Sequence, residues 1–200
     1  MFEPRPALGS ESPADAVRRL EALHHRVLNS FAALSAATAM ELRRASPEAR
    51  AALERTHRRI QAVGALYRQL DPARGTEETE LRDYLSALAV SLRGTAALRV
   101  ECTPLRLSAR LAAPLGLLTT EWLAEALSCA GEGAAVRLHC GPLDEEGWWS
   151  LAILVEGPAR PAPEDALAQA LRAALAAEIG AVVETGGWSL RFRPPGASAT

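Results

Sequence analysis

A chain of 200 residues, 48% of them hydrophobic, can bury a real core, either as one large domain or as a small helical module plus a second domain. Its net charge of −2 gives no reason to expect nucleic acid or an anionic membrane surface as a partner. All 22 basic residues are arginine, which excludes a lysine Schiff base, a phosphate-loop lysine and a kinase-type catalytic lysine.

Residues 1–11, with Pro4, Pro6 and Gly9, read as a mobile arm. Ser12-Pro13-Ala14-Asp15 then sets an N-cap serine, a proline at the first helical position and an acid three residues after the cap. A long helix follows to about Ala45. Its residues Val17, Leu20, Val27, Phe31, Leu34 and Thr38 recur at spacings of three and four, the period of a helix that packs on partner helices. His24 falls on that seam. At ~100° per residue His25 points well away from it, and Glu21 and Asn29, one turn to either side, share the outward stripe. Ala32, Ala33 and Ala36 extend outward below His25 and leave a smooth strip where a partner helix could approach closely.

Ser46-Pro47-Glu48 repeats the start signal and opens a second helix with a seam of Leu53, Thr56, Ile60, Val63, Tyr67 and Leu70. So short a connection dictates an antiparallel hairpin, spanning 12–71. A two-helix hairpin cannot bury an apolar seam alone. Two hairpins joined across a twofold axis as a four-helix bundle would do so, and a homodimer is the expectation. The alternative is that the hairpin packs on the rest of its own chain.

Residues 72–79, with Pro72 and Gly75, read as a linker to a second domain over 80–200. There Glu80 to Arg93 reads as a helix, Ala97 to Thr103 as a strand, and Ser108 to Ala130 as a helix capped by Ser108. Ala134 to Cys140 and Trp148 to Glu156 read as strands joined through a turn. Pro163 to Gly180 is helical, and Ala181 to Thr185 with Trp188 to Arg193 forms a last hairpin. The fold class is α+β, with helices segregated against a mostly antiparallel sheet as a two-layer α/β sandwich. Trp122, Trp148, Trp149 and Trp188 are assigned to that sandwich, with the Trp148-Trp149 pair placing one ring on each sheet face. His57 and His139 read as structural or solvated. Cys102, Cys129 and Cys140 lack metal-type spacing and read as reduced thiols. No apolar run reaches the length of a membrane span and Met1 opens no secretory leader, so a cytoplasmic location is expected.

The segment Glu21 to Arg93 resembles the dimerisation and phosphoacceptor region of sensor histidine kinases of the HWE type, whose signature reads His-His-Arg-Val-Lys-Asn. Here the string is His24-His25-Arg26-Val27-Leu28-Asn29, followed in order by Arg59-Ile60, Leu66-Tyr67 and Leu81-Arg82-Asp83-Tyr84-Leu85. The resemblance implies that His25, directly before the arginine, is the phosphoacceptor. Leu28 stands where the family has lysine. Residues 80–200 resemble the ATP-binding domain of the same kinases, a fold shared with gyrase and the Hsp90 chaperones.

That second resemblance fails at the nucleotide. The family's Glu-Leu-x-x-Asn-Ala is Glu121-Trp122-Leu123-Ala124-Glu125-Ala126, so a carboxylate replaces the magnesium-binding asparagine and would repel a triphosphate. Asp-x-Gly-x-Gly aligns with Val155-Glu156-Gly157-Pro158-Ala159. Pro158, Pro161 and Pro163 stand where a glycine-rich lid should offer backbone N–H groups to phosphate. A histidine hairpin followed by a kinase-like domain without a nucleotide site resembles histidine phosphotransferases of the ChpT and sporulation types. The resemblance implies phosphoryl transfer between response-regulator aspartates through His25, with Glu21 orienting the imidazole and Arg26 and Asn29 contacting phosphoryl oxygens or the partner. It implies receiver domains as partners, no ATP, and no cofactor bound by this chain, with Mg2+ supplied by the regulator. The alternatives are an active kinase with a divergent pocket and a non-catalytic dimeric scaffold that sequesters regulators.

Overall fold

The computed structural model of the protein describes residues 13–70, 78–92, 97–144, 146–161, 166–185 and 187–194. The arm expected over 1–11 and the cap at Ser12 lie outside these residues. Two helices open the fold, α1 (Pro13–Arg44) and α2 (Pro47–Gln69). Ser46 caps α2 as its sequence dictates, its hydroxyl accepting from the Ala49 N–H at 3.4 Å. Only Ala45 and Ser46 separate the helices, and contacts of Tyr67 with both His24 and Phe31 confirm that they run antiparallel.

The remaining elements are β1 (Glu78–Glu80), α3 (Leu81–Ser91), β2 (Ala97–Cys102), β3 (Arg106–Ser108), α4 (Ala109–Cys129), β4 (Ala135–Pro142), β5 (Trp149–Glu156), α5 (Ala166–Glu178), β6 (Val182–Val183) and β7 (Trp188–Phe192). The main sheet has the order β2-β4-β5-β7-β6, parallel only between β2 and β4. Inward positions alternate along its strands, with Val136, Leu138 and Cys140 of β4 meeting Leu151 and Ile153 of β5 and Leu190 and Phe192 of β7 in the core. Onto this face pack α3 and α4 through Leu85, Leu88, Leu115, Leu118, Trp122 and Leu123. An N-terminal helical hairpin followed by a helix-on-sheet domain is the α+β fold that the pattern of elements predicts.

A small antiparallel ladder between β1 and β3 pairs Glu78 with Ser108 and Thr79 with Leu107. Three-residue strands carry too little periodicity to be read from sequence. Glu78 and Thr79 therefore stand in a strand where the linker expectation had placed them, while residues 71–77 lie outside the described ones. Glu80 fastens the corner: one carboxylate oxygen accepts from the Asp83 N–H at 2.9 Å and the other from the Leu105 N–H at 3.1 Å. Ser108 is the N-cap residue of α4 by position, but its side chain makes no capping hydrogen bond, which corrects the expected serine cap. Trp149 packs on the core, while Trp148, just before β5, is not among the core residues expected of it and lies under Arg193, 4.8 Å from ring centroid to guanidinium carbon.

The expected hairpin seam is corrected in two ways. On α1 the face turned to α2 carries His24, Leu28, Phe31, Thr38 and Leu42, while Leu20 and Leu34 stand 51% and 53% exposed. The sequence pattern had merged two neighbouring stripes, since three-and-four spacing alone does not separate faces less than a quarter turn apart. On α2 the buried residues are Ala62, Gly64, Ala65 and Leu66, and Thr56 is exposed. Gly64 faces Phe31 of α1, while Ala62, Ala65 and Leu66 join the core with α3 and α4, so the hairpin does pack on the rest of its own chain along α2. Tyr84 of α3 is fully buried there, its hydroxyl donating to the Ala62 carbonyl at 3.2 Å. Gly116 of α4 leaves the space the tyrosine ring fills, and a Cβ at that position would collide with it.

Candidate functional site

His25 lies on the exposed side of α1, with its ring 6.5 Å from that of His24 in an edge-on arrangement. His24 is half-buried and lies face to face with Tyr67 of α2 at 6.4 Å between centroids. Phe31, two turns on, meets the same tyrosine at 5.4 Å. The two histidines are thus separated in environment by one residue of helical rotation, about 100°. Arg26 and Asn29 are exposed and Glu21 half-buried. Among the described residues none of the three makes a hydrogen bond to the His25 ring.

Below His25 a groove of about 700 Å³ runs between α1 and α2. Asn29, Ala32 and Ala36 form its α1 wall, and His57, Gln61 and Arg68 its α2 wall. Ala33 is exposed but lies outside the groove. His57 has a buried Nδ1 without a hydrogen-bond partner. Sequence reasoning placed the alanine side of this surface and missed the polar side, because α2 side chains take their meaning only once the helices are paired.

The face of α4 that carries Glu121 and Glu125 turns toward α2 and α5, and a cavity of about 320 Å³ lined by Arg58, Glu121, Glu125, Ser128 and Arg172 lies there. Glu121, buried, accepts from Arg59 Nε of α2 at 2.8 Å. Arg58 lies close enough for Glu121 to favour its charge, although burial outweighs this and lowers its pKa. One turn on, the Glu125 carboxylate binds Arg172 of α5 at 2.5 Å and accepts from the Trp188 indole N–H at 2.9 Å. Both members of the Glu125–Arg172 pair are largely buried. Both bonds fall on Oε2, so the carboxylate's charge is matched by the guanidinium and its position is fixed toward α5 and β7. Neither Arg172 nor Trp188 was legible as a partner of Glu125, since 47 and 63 residues separate them in sequence.

The aligned adenine-reading segment has a structural task as well. Gly157 holds φ at 106°, which a residue with a side chain rarely adopts, and lets the chain turn back onto the end of α4. Gly131 N–H then donates to the Pro158 carbonyl at 2.8 Å and Arg160 N–H to the Cys129 carbonyl at 2.8 Å. The surviving glycine of the motif is explained by this turn. Pro163 lies outside the described residues. Among the described residues no group of three or more His, Cys, Asp or Glu side chains could hold a metal ion.

An exposed histidine on an antiparallel helical hairpin, joined to a helix-on-sheet domain, is a specific combination. Residues 22–96 match the HisKA_2 family, histidine kinase. The match runs from α1 through α2 and α3. The histidine kinase domain of a blue-light activated histidine kinase from Erythrobacter litoralis EL346 is 20% identical, with a TM-score of 0.59 over 80% of this chain and 95% of that one. A longer structure of the same light-activated kinase is 21% identical with a TM-score of 0.61, and this chain, 92% of it aligned, spans 61% of that length. These likenesses show a histidine-kinase-type fold. A bacterial phosphotransferase aligns at 14% identity with a TM-score of 0.36, too low to carry an argument. No curated protein matches the chain. No described helix is long and apolar enough to cross a membrane.

Proposed function

We propose that this histidine-kinase-type chain is a histidine phosphotransfer protein, which takes a phosphoryl group from a receiver aspartate onto His25 and returns it to the aspartate of a second receiver without using ATP. The observation that supports this reading is the Glu125–Arg172–Trp188 cluster, which ties up, with the chain's own side chains, the residue that stands where the kinases carry their magnesium-binding asparagine. In the forward step a His25 ring nitrogen attacks phosphorus in line, an N–P bond forms, and the bond to the aspartyl oxygen breaks to leave a carboxylate. The cation that neutralises the transferring oxygens comes with the receiver. Glu21 would orient the ring, Arg26 and Asn29 would meet phosphoryl oxygens or the docked partner, and the groove under Asn29, Ala32 and Ala36 would receive a receiver helix, with exposed Ala33 at its margin.

The homodimer belongs to the same proposal. Leu20, Leu23 and Leu34 are each more than half exposed and, with Val27, line one side of α1, about half a turn from His25. A twofold axis along that strip would bury the apolar side and leave His25 open. The test uses receiver domains loaded with labelled phosphate from a small acyl phosphate. The wild type and His24→Ala accept label, and His25→Ala does not. Autophosphorylation from Mg-ATP would show an active kinase instead, and failure to accept label from any receiver of the source organism would leave the scaffold reading.

A further inference from the structure

Cys102 ends the edge strand β2 and Cys140 stands near the end of β4, and the two are Cα partners in the parallel register of these strands. Partners in register point to the same face, about 4.8 Å apart across the ladder, inside the Cα separation that a disulfide spans. Both are free thiols, 6% and 0% exposed, and neither is used by the phosphotransfer site. The Cys102 thiol donates to the Thr103 carbonyl at 3.3 Å. An open cleft of about 520 Å³ at this end of the sheet is lined by both cysteines together with Arg82, Thr103, Pro104 and His139. Two thiols in register at the end of the sheet, buried in the core yet lining one open cleft with a guanidinium on its wall, are placed where a small oxidant could reach both.

We infer that Cys102 and Cys140 form an oxidisable dithiol that takes a hydroperoxide as its substrate and closes to a disulfide between β2 and β4. Cys102 is the attacking sulfur. It stands on the edge strand and is the less buried of the two, and the neighbouring Cys140 thiol holds it below its ordinary pKa, with Arg82 acting in the same sense and burial and Glu80 opposing. Cys140 is the resolving thiol, its pKa pushed up by the neighbouring Cys102 thiol and by burial. In the first step the Cys102 sulfur takes the terminal peroxide oxygen. The O–O bond breaks, sulfur is oxidised to a sulfenic acid, and the other oxygen leaves as water or alcohol after taking a proton. In the second step the Cys140 sulfur attacks the Cys102 sulfur, the S–S bond forms, the S–O bond breaks, and hydroxide leaves as water with the Cys140 proton. Cys129, which lines no part of the cleft, stays reduced.

The experiment treats the full folded chain with hydrogen peroxide, alkylates the remaining thiols and maps the peptides by mass spectrometry. The expected result is loss of two thiols per chain, a Cys102–Cys140 linked peptide, full alkylation of Cys129, and recovery of both thiols on reduction. Cys140→Ser is expected to stop at a dimedone-trappable sulfenic acid on Cys102, and Cys102→Ser to leave Cys140 unreacted. Full alkylation of Cys102 and Cys140 after peroxide, or a linked peptide containing Cys129, would overturn the inference. The wild-type map decides this even where a serine variant fails to fold.

Discussion

A carboxylate at position 125 can be buried beside α5 only because Arg172 and Trp188 together satisfy it, and each of these contacts has a measurable counterpart. Arg172→Ala leaves Glu125 charged and enclosed with an indole as its remaining donor. A loss of about 2 to 4 kcal/mol is expected, read as a lower urea midpoint with unchanged slope. Glu125→Gln keeps an acceptor for Trp188 and is expected to be milder. The His24 and His25 contrast belongs to the same scale. Both rings have the same intrinsic chemistry, and one residue of helical rotation puts the first against Tyr67 and the second in solvent.

Among the helices, α1 and α2 divide two tasks. The small residues of α2 let it dock on α3 and α4, where Tyr84 reaches the Ala62 carbonyl through the space that Gly116 leaves. Gly116→Ala forces that ring to move in a close-packed contact. It is expected to cost about 1 to 3 kcal/mol, measured by thermal or urea unfolding. The outer side of α1 keeps Leu20, Leu23 and Leu34 in solvent within a single chain. Leu34→Glu places a charge at the middle of that strip. Sedimentation is expected to show the wild type as a dimer and the variant shifted to a 21.3 kDa monomer at micromolar concentration. A wild type already monomeric would remove the bundle from the proposal.

At the scale of the molecule, the hairpin and the sandwich are joined by the Arg59–Glu121 pair and by the Tyr84 anchor, across the face of α4 that carries Glu121. Calorimetry with Mg-ATP is expected to show no saturable binding tighter than ~100 μM. Tighter binding would mean that α5 and α2 can leave that face, and would favour the kinase alternative. Arg172→Ala in the same titration separates the two causes: if the guanidinium alone blocks the face, its removal uncovers weak binding, and if α2 also blocks it, none is gained.

The helical hairpin, the longer helices and main-sheet strands after it, and the exposure of His25 are legible in the sequence, because periodicity and turn residues act within a few positions of one another, whereas the short β1–β3 ladder is not. Ser46 announces α2 and uses its hydroxyl as read. What the sequence does not contain is the choice between stripes on one helix and the identity of partners far away in the chain. His24 and Leu20 share similar spacing on α1, and only the presence of α2 buries one and not the other. Glu125 reads as a lost magnesium ligand in the motif, while its bonds to Arg172 and Trp188, like the register of Cys102 with Cys140, arise where long-range folding closes the sheet and seats α5. Local signals fix where elements begin and which face is apolar. Which apolar face meets which neighbour is settled by packing, since burial depends on every element competing for the same surface.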